Sequence, residues 1–260
     1  MFLKPSKEQL KLWTGLEQPK KRQETDFFLA EGIKVVQEAL RSGKKIEYFL
    51  VHEDKAERLA DLLTAMRNSR FYLLSPKEWK RITQDKESEG IAALMSRTSV
   101  SLPAPCGFDD LHYLLLYQIG NPANLGAIFR TAHWFGITNI LISENSVDAT
   151  HPKTIRASMG SVFHLRIWEN LSFTEVLSLL KERFILIGTT NQKGQNPRPV
   201  REPSVIILGN ESHGLPEEIL SMTGENWCIP RLGGAESLSL PQAAAIIFYE
   251  WTSSHSALQR

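Results

Sequence analysis

Asn121-Pro122-Ala123-Asn124-Leu125-Gly126-Ala127-Ile128-Phe129-Arg130-Thr131-Ala132 follows directly on an apolar run at residues 111–119. The run reads as a buried strand ending at Gly120. A helix is expected to start near Asn124, with that asparagine as its N-cap. Asn124 and Arg130 stand six residues apart, less than two helical turns, so their side chains face similar but not identical directions. Polar groups just past a buried parallel strand are where open α/β sheets build their sites.

Two later stretches repeat this rhythm. Val205-Ile206-Ile207-Leu208 runs into the polar, glycine-flanked loop Gly209-Asn210-Glu211-Ser212-His213-Gly214. Trp227-Cys228-Ile229-Pro230 leads to Arg231-Leu232-Gly233-Gly234, then to Ser237-Leu238-Ser239 and an alanine-rich helix. Further strands are expected at residues 113–119, 139–142, 165–168 and 184–189, mostly separated by helices. Such alternation implies a largely parallel sheet covered on both faces. The first hundred residues read as a smaller α/β unit. Its expected helices are 27–40, 55–66 and 76–82, and its expected strands 46–51, 71–74 and 90–95. Residues 96–109, with Pro103, Pro105 and Gly107, read as a linker. The expected division is therefore 1–95, the linker 96–109, and 110–260.

Composition narrows the function classes. An apolar fraction of 42% is ordinary for a globular chain, and no apolar run approaches the roughly 20 residues of a membrane span. The N-terminus lacks the apolar run of a secretory signal. Two cysteines make neither a disulfide framework nor a zinc site. His133, His151, His164 and His213 lack metal-ligand spacing. No Walker loop and no Gly-x-Gly-x-x-Gly fingerprint is present. A cytoplasmic protein without a metal is expected. Residues 1–100 hold 19 Lys+Arg against 15 Asp+Glu, net +4, and the remainder 11 against 14, net −3. The basic front half suits a nucleic-acid partner, although a solvated surface gives the same count.

The three stretches resemble the three motifs of the SpoU-TrmH family of RNA ribose 2′-O-methyltransferases. The resemblance rests on Asn124 and Arg130, on Gly209-Asn210-Glu211, and on Ile229-Pro230 through Gly233 to Ser237-Leu238. It covers most of residues 110–252. The family usually carries Asn two residues after the serine of its third motif, and this chain has Ser239. The front unit resembles the substrate-binding domain that often precedes the catalytic one, through Arg22, Phe27-Phe28, Glu31-Gly32 and Ser88-Glu89-Gly90-Ile91-Ala92. That domain has an α/β fold akin to RNA-binding ribosomal proteins.

The resemblance implies a C-terminal trefoil knot, S-adenosylmethionine as cofactor, RNA (ribosomal rather than transfer RNA) as substrate, and a homodimer through the back domain. It implies a cofactor site among Thr189, Thr190, Leu208, Gly209, Asn210, Glu211, Ile229, Leu232, Gly233, Ser237 and Leu238. The family's proposed base matches Arg130. A guanidinium has a pKa above about 12, so clamping the phosphate beside the target ribose is the easier role to defend. Asn124 is expected to help fix that arginine, and Glu211 to orient Asn124, Arg130 or a loop amide. Ser237 and Ser239 are expected to contact RNA or cofactor, or to cap a helix. Lys20, Lys21, Arg22 and Arg156 are the expected RNA contacts. In the last helix, small residues on one side and Ile247, Phe248 and Trp251 on another are expected to anchor the partner subunit. A non-catalytic RNA-binding protein that keeps the fold is the alternative, motivated by Ser239. An unrelated nucleotide-binding α/β enzyme is a third reading.

Overall fold

The computed structural model describes residues 2–83, 85, 87–97, 102, 108 and 111–253. Most of the expected linker thus lies outside the described residues. The chain forms two compact units, Met1–Thr98 with Thr150–Phe163, and Ser99–Ala149 with His164–Arg260.

The first unit holds β1 (Phe2–Leu3), α1 (Lys7–Gly15), α2 (Pro19–Thr25), β2 (Phe27–Glu31), α3 (Ile33–Arg41), β3 (Ile46–His52), α4 (Ala60–Ala65), β4 (Phe71–Leu74), α5 (Pro76–Ile82) and β5 (Ile91–Ser96). Its strands make a mixed sheet in the order β1-β4-β3-β5-β2. Trp13, Leu16, Leu50, Tyr72, Leu74, Trp79, Ala92 and Leu94 form one apolar cluster. Each buried indole N–H finds a partner, Trp13 on the Tyr48 hydroxyl and Trp79 on Ser88 Oγ, both at 3.0 Å.

The helix expected over residues 27–40 is instead a strand and a helix. Residues 27–31 alternate in burial and pair antiparallel with β5. Gly32, at φ +110°, then turns the chain into α3. The helix expected over 55–66 shortens to α4. Helices α1 and α2 were not anticipated. The chain segment Thr150–Phe163, with α7 (Pro152–Ala157), belongs to this unit: Phe163 stacks on Phe28 at 6.3 Å.

The second unit holds β6 (His112–Leu116), α6 (Pro122–Trp134), β7 (Asn139–Ser143), β8 (Arg166–Leu171), α8 (Phe173–Leu180), β9 (Ile185–Thr189), β10 (Ser204–Leu208), α9 (Glu217–Ser221), β11 (Glu225–Trp227) and α10 (Leu240–Thr252). All six expected strands are present within a few residues. They run in the order β11-β9-β10-β6-β7-β8, and every pair is parallel. Both faces are buried, which is why β6 and β10 read as unbroken apolar runs. Tyr113, Leu115, Val205 and Ile207 point to the layer of α8 and α9. On α10, Ile247, Phe248 and Trp251 are buried, and the Trp251 indole donates to Ser204 Oγ of β10 at 3.0 Å. Burial of each such side chain contributes roughly 1.5–3 kcal/mol. That aromatic group packs on its own sheet and is not the partner-anchoring face expected from sequence. The exposed apolar residues of α6 and α10 are Trp134 at 83% exposure, Tyr249 at 60% and Ile246 at 40%. No helix among the described residues is long and apolar enough to cross a membrane.

Candidate active site at the sheet's switch point

From β6 the chain builds β7 and β8 on one side; β10, β9 and β11 fill the other. The order reverses between β6 and β10, and the crevice beyond such a switch point is where open α/β sheets bind ligands. The loops leaving these two strands carry the first and second motifs.

Helix α6 begins earlier than expected. Its N-cap is Asn121, whose Oδ1 accepts from Ala123 N–H at 2.9 Å, with Pro122 in the first turn. An Asn-Pro pair does this readily, because the proline fixes a helical φ and lacks an N–H that would go unbonded there. Asn124 is therefore free of capping. Its amide donates to Glu211 Oε1 at 3.1 Å. The same carboxylate accepts from Asn121 N–H at 3.1 Å and Gly120 N–H at 3.2 Å. Burial pushes the Glu211 carboxyl up, but its own backbone N–H, those of Gly120 and Asn121, and the Asn124 amide together outweigh that and hold it below the usual carboxylate range. Glu211 thus ties the Asn124 side chain to two backbone amides of the loop after β6.

Asn210 joins the same two loops. Its Nδ2 donates to the Gln118 carbonyl at 2.7 Å, and its Oδ1 accepts from Ser212 N–H at 2.9 Å. The side chain is engaged within the protein. Gly209 has no substitute: a Cβ there would lie 2.3 Å from the Gly214 carbonyl carbon and 2.5 Å from Leu215 N. Leu208 is fully buried in the sheet, so its side chain is core rather than pocket wall.

Arg130 is exposed on α6, and its guanidinium has no hydrogen-bond or ion-pair partner among the described residues. Asn124 does not fix it, because that amide faces Glu211. An unpaired, exposed guanidinium is available to an anion.

The third motif forms a loop beyond β11. Residues 231–239 are all exposed, Leu232 at 99% and Leu238 at 47%. Residues 231–237 make no hydrogen bond within the described chain, so their backbone groups are free for a ligand. A Cβ on Gly233 would meet nothing within 4 Å. Ile229 is half-buried and Ser237 exposed. Ser239 is the N-cap of α10 in a capping box with Gln242, whose Oε1 accepts from Ser239 N–H at 3.3 Å. At the end of β9, Thr189 Oγ1 donates to the Ile207 carbonyl at 2.8 Å, and Thr190 N–H to the Trp227 carbonyl at 2.9 Å. The ends of β9, β10 and β11 thus offer bonded walls and one loop of open backbone groups with two solvent-facing leucines.

Two of the expected RNA contacts are occupied otherwise. Arg22 is fully buried, and its Nη1 donates to the carbonyls of Leu16 and Glu17, each at 2.8 Å, closing the C-terminal end of α1. Arg156 pairs with Glu31 and Asp85, each at 3.5 Å, within the first unit. On α2, Lys20 is exposed and Lys21 half-buried, both near Glu24. Sequence reasoning missed Asn121, whose Asn-Pro signal was available, and Ser143 and Ser146, which carry no local signal.

The sheet order and this crevice define an open α/β protein with a ligand site at its switch point. The chain belongs to the SpoU rRNA Methylase family, whose model matches residues 112–249, and an MRM3-like substrate binding domain matches residues 7–93. It is 31% identical over 244 residues, 93% of this chain and 95% of the relative, to the 23S rRNA (guanosine(2553)-2′-O)-methyltransferase RlmP of Bacillus subtilis. Its structure is similar to an AdoMet-bound rRNA methyltransferase from Sinorhizobium meliloti, with a TM-score of 0.81, 27% identity and 98% of each chain covered. The fold is also shared with AviRb of Streptomyces viridochromogenes, at a TM-score of 0.84, 22% identity, and 97% of this chain and 99% of that one covered.

Proposed function

We propose that this protein transfers a methyl group from S-adenosylmethionine to a ribose 2′-hydroxyl of ribosomal RNA. The observation that carries the reading is the Glu211 carboxylate closing on Gly120, Asn121 and Asn124 at the switch point, at the start of the helix that carries the unpaired Arg130. Family membership supports it. Ser239 caps α10, so its presence in place of asparagine carries no argument against turnover.

S-adenosylmethionine, when bound, supplies an electrophilic methyl on a sulfonium. The residues that would hold it are Thr190, Ile229, Leu232, Gly233, Ser237 and Leu238, around the loop with free backbone groups. Glu211 fixes the start of α6 and so the direction in which the helix presents Arg130. Arg130 clamps the phosphate next to the target ribose through paired N–H donors and holds the hydroxyl in line for attack. Lys20 and Lys21 add sequence-independent attraction to the RNA backbone. The first unit is the substrate-binding part, with a boundary in residues 96–109, and the protein acts in the cytoplasm.

Two further features belong to this reading. One is the trefoil knot, with α10 passing through the segment between β9 and β10. It is supported by Val200 N–H donating to the Trp251 carbonyl at 3.2 Å and by Gln195 pairing with β11. The other is a homodimer over α6 and α10, supported by the exposed Trp134, Tyr249 and Ile246.

The test is methyl transfer. The purified protein, S-adenosylmethionine carrying a labelled methyl, and ribosomal RNA lacking this modification are expected to give one 2′-O-methyl nucleotide on mapping. Binding of S-adenosylmethionine without transfer to any ribosomal RNA would leave the non-catalytic RNA-binding alternative in its place.

A further inference from the structure

Between β6 and α6 the chain makes a strained turn. Gln118 has φ +49°, in the left-handed region that a glutamine rarely occupies. Such a conformation is costly and persists only where its surroundings over-determine it. Here they do. The Gln118 carbonyl accepts from Asn210 Nδ2 at 2.7 Å, and the N–H groups of Gly120 and Asn121 go to Glu211. These belong to the second motif.

The remaining groups of the turn are held from the other side by a segment outside all three motifs. Gln118 N–H donates to Ser143 Oγ at 2.9 Å, and Ile119 N–H to Ser146 Oγ at 3.1 Å. The Ile119 carbonyl accepts from Val147 N–H at 2.8 Å. Ser143 Oγ in turn donates to the Glu144 carbonyl at 2.9 Å, which leaves its lone pairs for Gln118. The turn that launches α6 is thus clamped between two loops, one after β10 and one after β7.

We propose that Ser146, with Ser143 behind it, is a positioning residue for methyl transfer. It fixes the turn from the side opposite Glu211, and through it the start of α6 and the aim of Asn124 and Arg130. The inference rests on the methyltransferase reading above. Ser146 is half-buried in a loop, so its hydroxyl can be removed without opening the core.

The experiment uses the full chain with Ser146→Ala, Ser146→Thr, Glu211→Gln and the Ser146→Ala/Glu211→Gln pair. Ser146→Ala is expected to lower kcat about tenfold, since small misplacements of a catalytic group are costly. S-adenosylmethionine affinity by calorimetry should stay within about twofold, because the cofactor residues lie elsewhere. Ser146→Thr keeps the hydroxyl and should recover most of kcat. Both anchors hold one turn, so the double variant should lose less than the product of the two single losses. A wild-type kcat in Ser146→Ala, a loss that threonine does not recover, or losses that simply multiply would each overturn the proposal. If the unsubstituted protein neither binds the cofactor nor transfers methyl, the methyltransferase reading itself fails and takes this inference with it.

Discussion

Asn124 Nδ2 donates to Glu211 Oε1 at 3.1 Å across 87 residues of sequence. Asn124 sits in the first turn of α6, after β6, and Glu211 in the loop after β10, the neighbouring parallel strand. Their contact joins the first and second motifs and sets where α6 begins relative to the crevice.

Removing the charge at Glu211 should therefore loosen the site. Glu211→Gln presents an amide N–H toward groups that are themselves donors, and kcat is expected to fall about 10- to 100-fold. The carboxyl is held below its usual range, so its stabilising effect is present above the unfolded value of about 4.3 and is lost as pH falls through the lower folded value. Thermal melts of both proteins should differ at pH 7 and converge on acidification. A difference that stays constant to pH 3 contradicts this.

Arg130→Ala is expected to abolish methylation while leaving S-adenosylmethionine affinity nearly unchanged, since the guanidinium is free and exposed on α6. Arg130→Lys should fail as well, because an ammonium lacks the planar paired donors that grip a phosphate. Near-normal turnover of either variant on ribosomal RNA would make Arg130 a surface residue only.

Ser239→Asn should retain activity and stability, because asparagine caps a helix as well as serine does. Ser239→Ala should cost about 1 kcal/mol of stability, by the same principle. Chemical denaturation reads both, and equal stability of the alanine variant would refute the capping role.

Arg22→Ala should destabilise the chain by about 1–3 kcal/mol, by leaving the Leu16 and Glu17 carbonyls without their donor. Lys20→Ala should leave stability unchanged and weaken RNA binding, more so at low salt. A stable Arg22→Ala variant with weakened RNA binding would restore Arg22 as an RNA contact.

Trp134→Glu should turn a homodimer into monomer. A stable interface buries more than about 1,000 Å², and a carboxylate in place of the exposed indole would be costly to desolvate there. Light scattering that finds the unsubstituted protein monomeric at micromolar concentration would remove the dimer.

The sequence by itself determined the elements of the sheet and the polar loops beyond them. Val205-Ile206-Ile207-Leu208 is apolar at every position because both faces of β10 are buried, and that is visible without a fold. The need for glycine at 209 is likewise written in the chain, since backbone passes where a Cβ would be. Local pattern failed where two periods overlap. Phe28, Ile33, Val36 and Leu40 carry helical spacing, yet residues 27–31 are a strand, because pairing with β5 decides their conformation. Only the tertiary structure decided which polar groups meet. Strand order put Glu211 on Asn124 and Ser146 under Ile119. It also turned Ile247, Phe248 and Trp251 inward and left Trp134 outside. Periodicity reports which face of an element is apolar. What that face packs against is set by contacts far apart in the chain, and no local spacing records them.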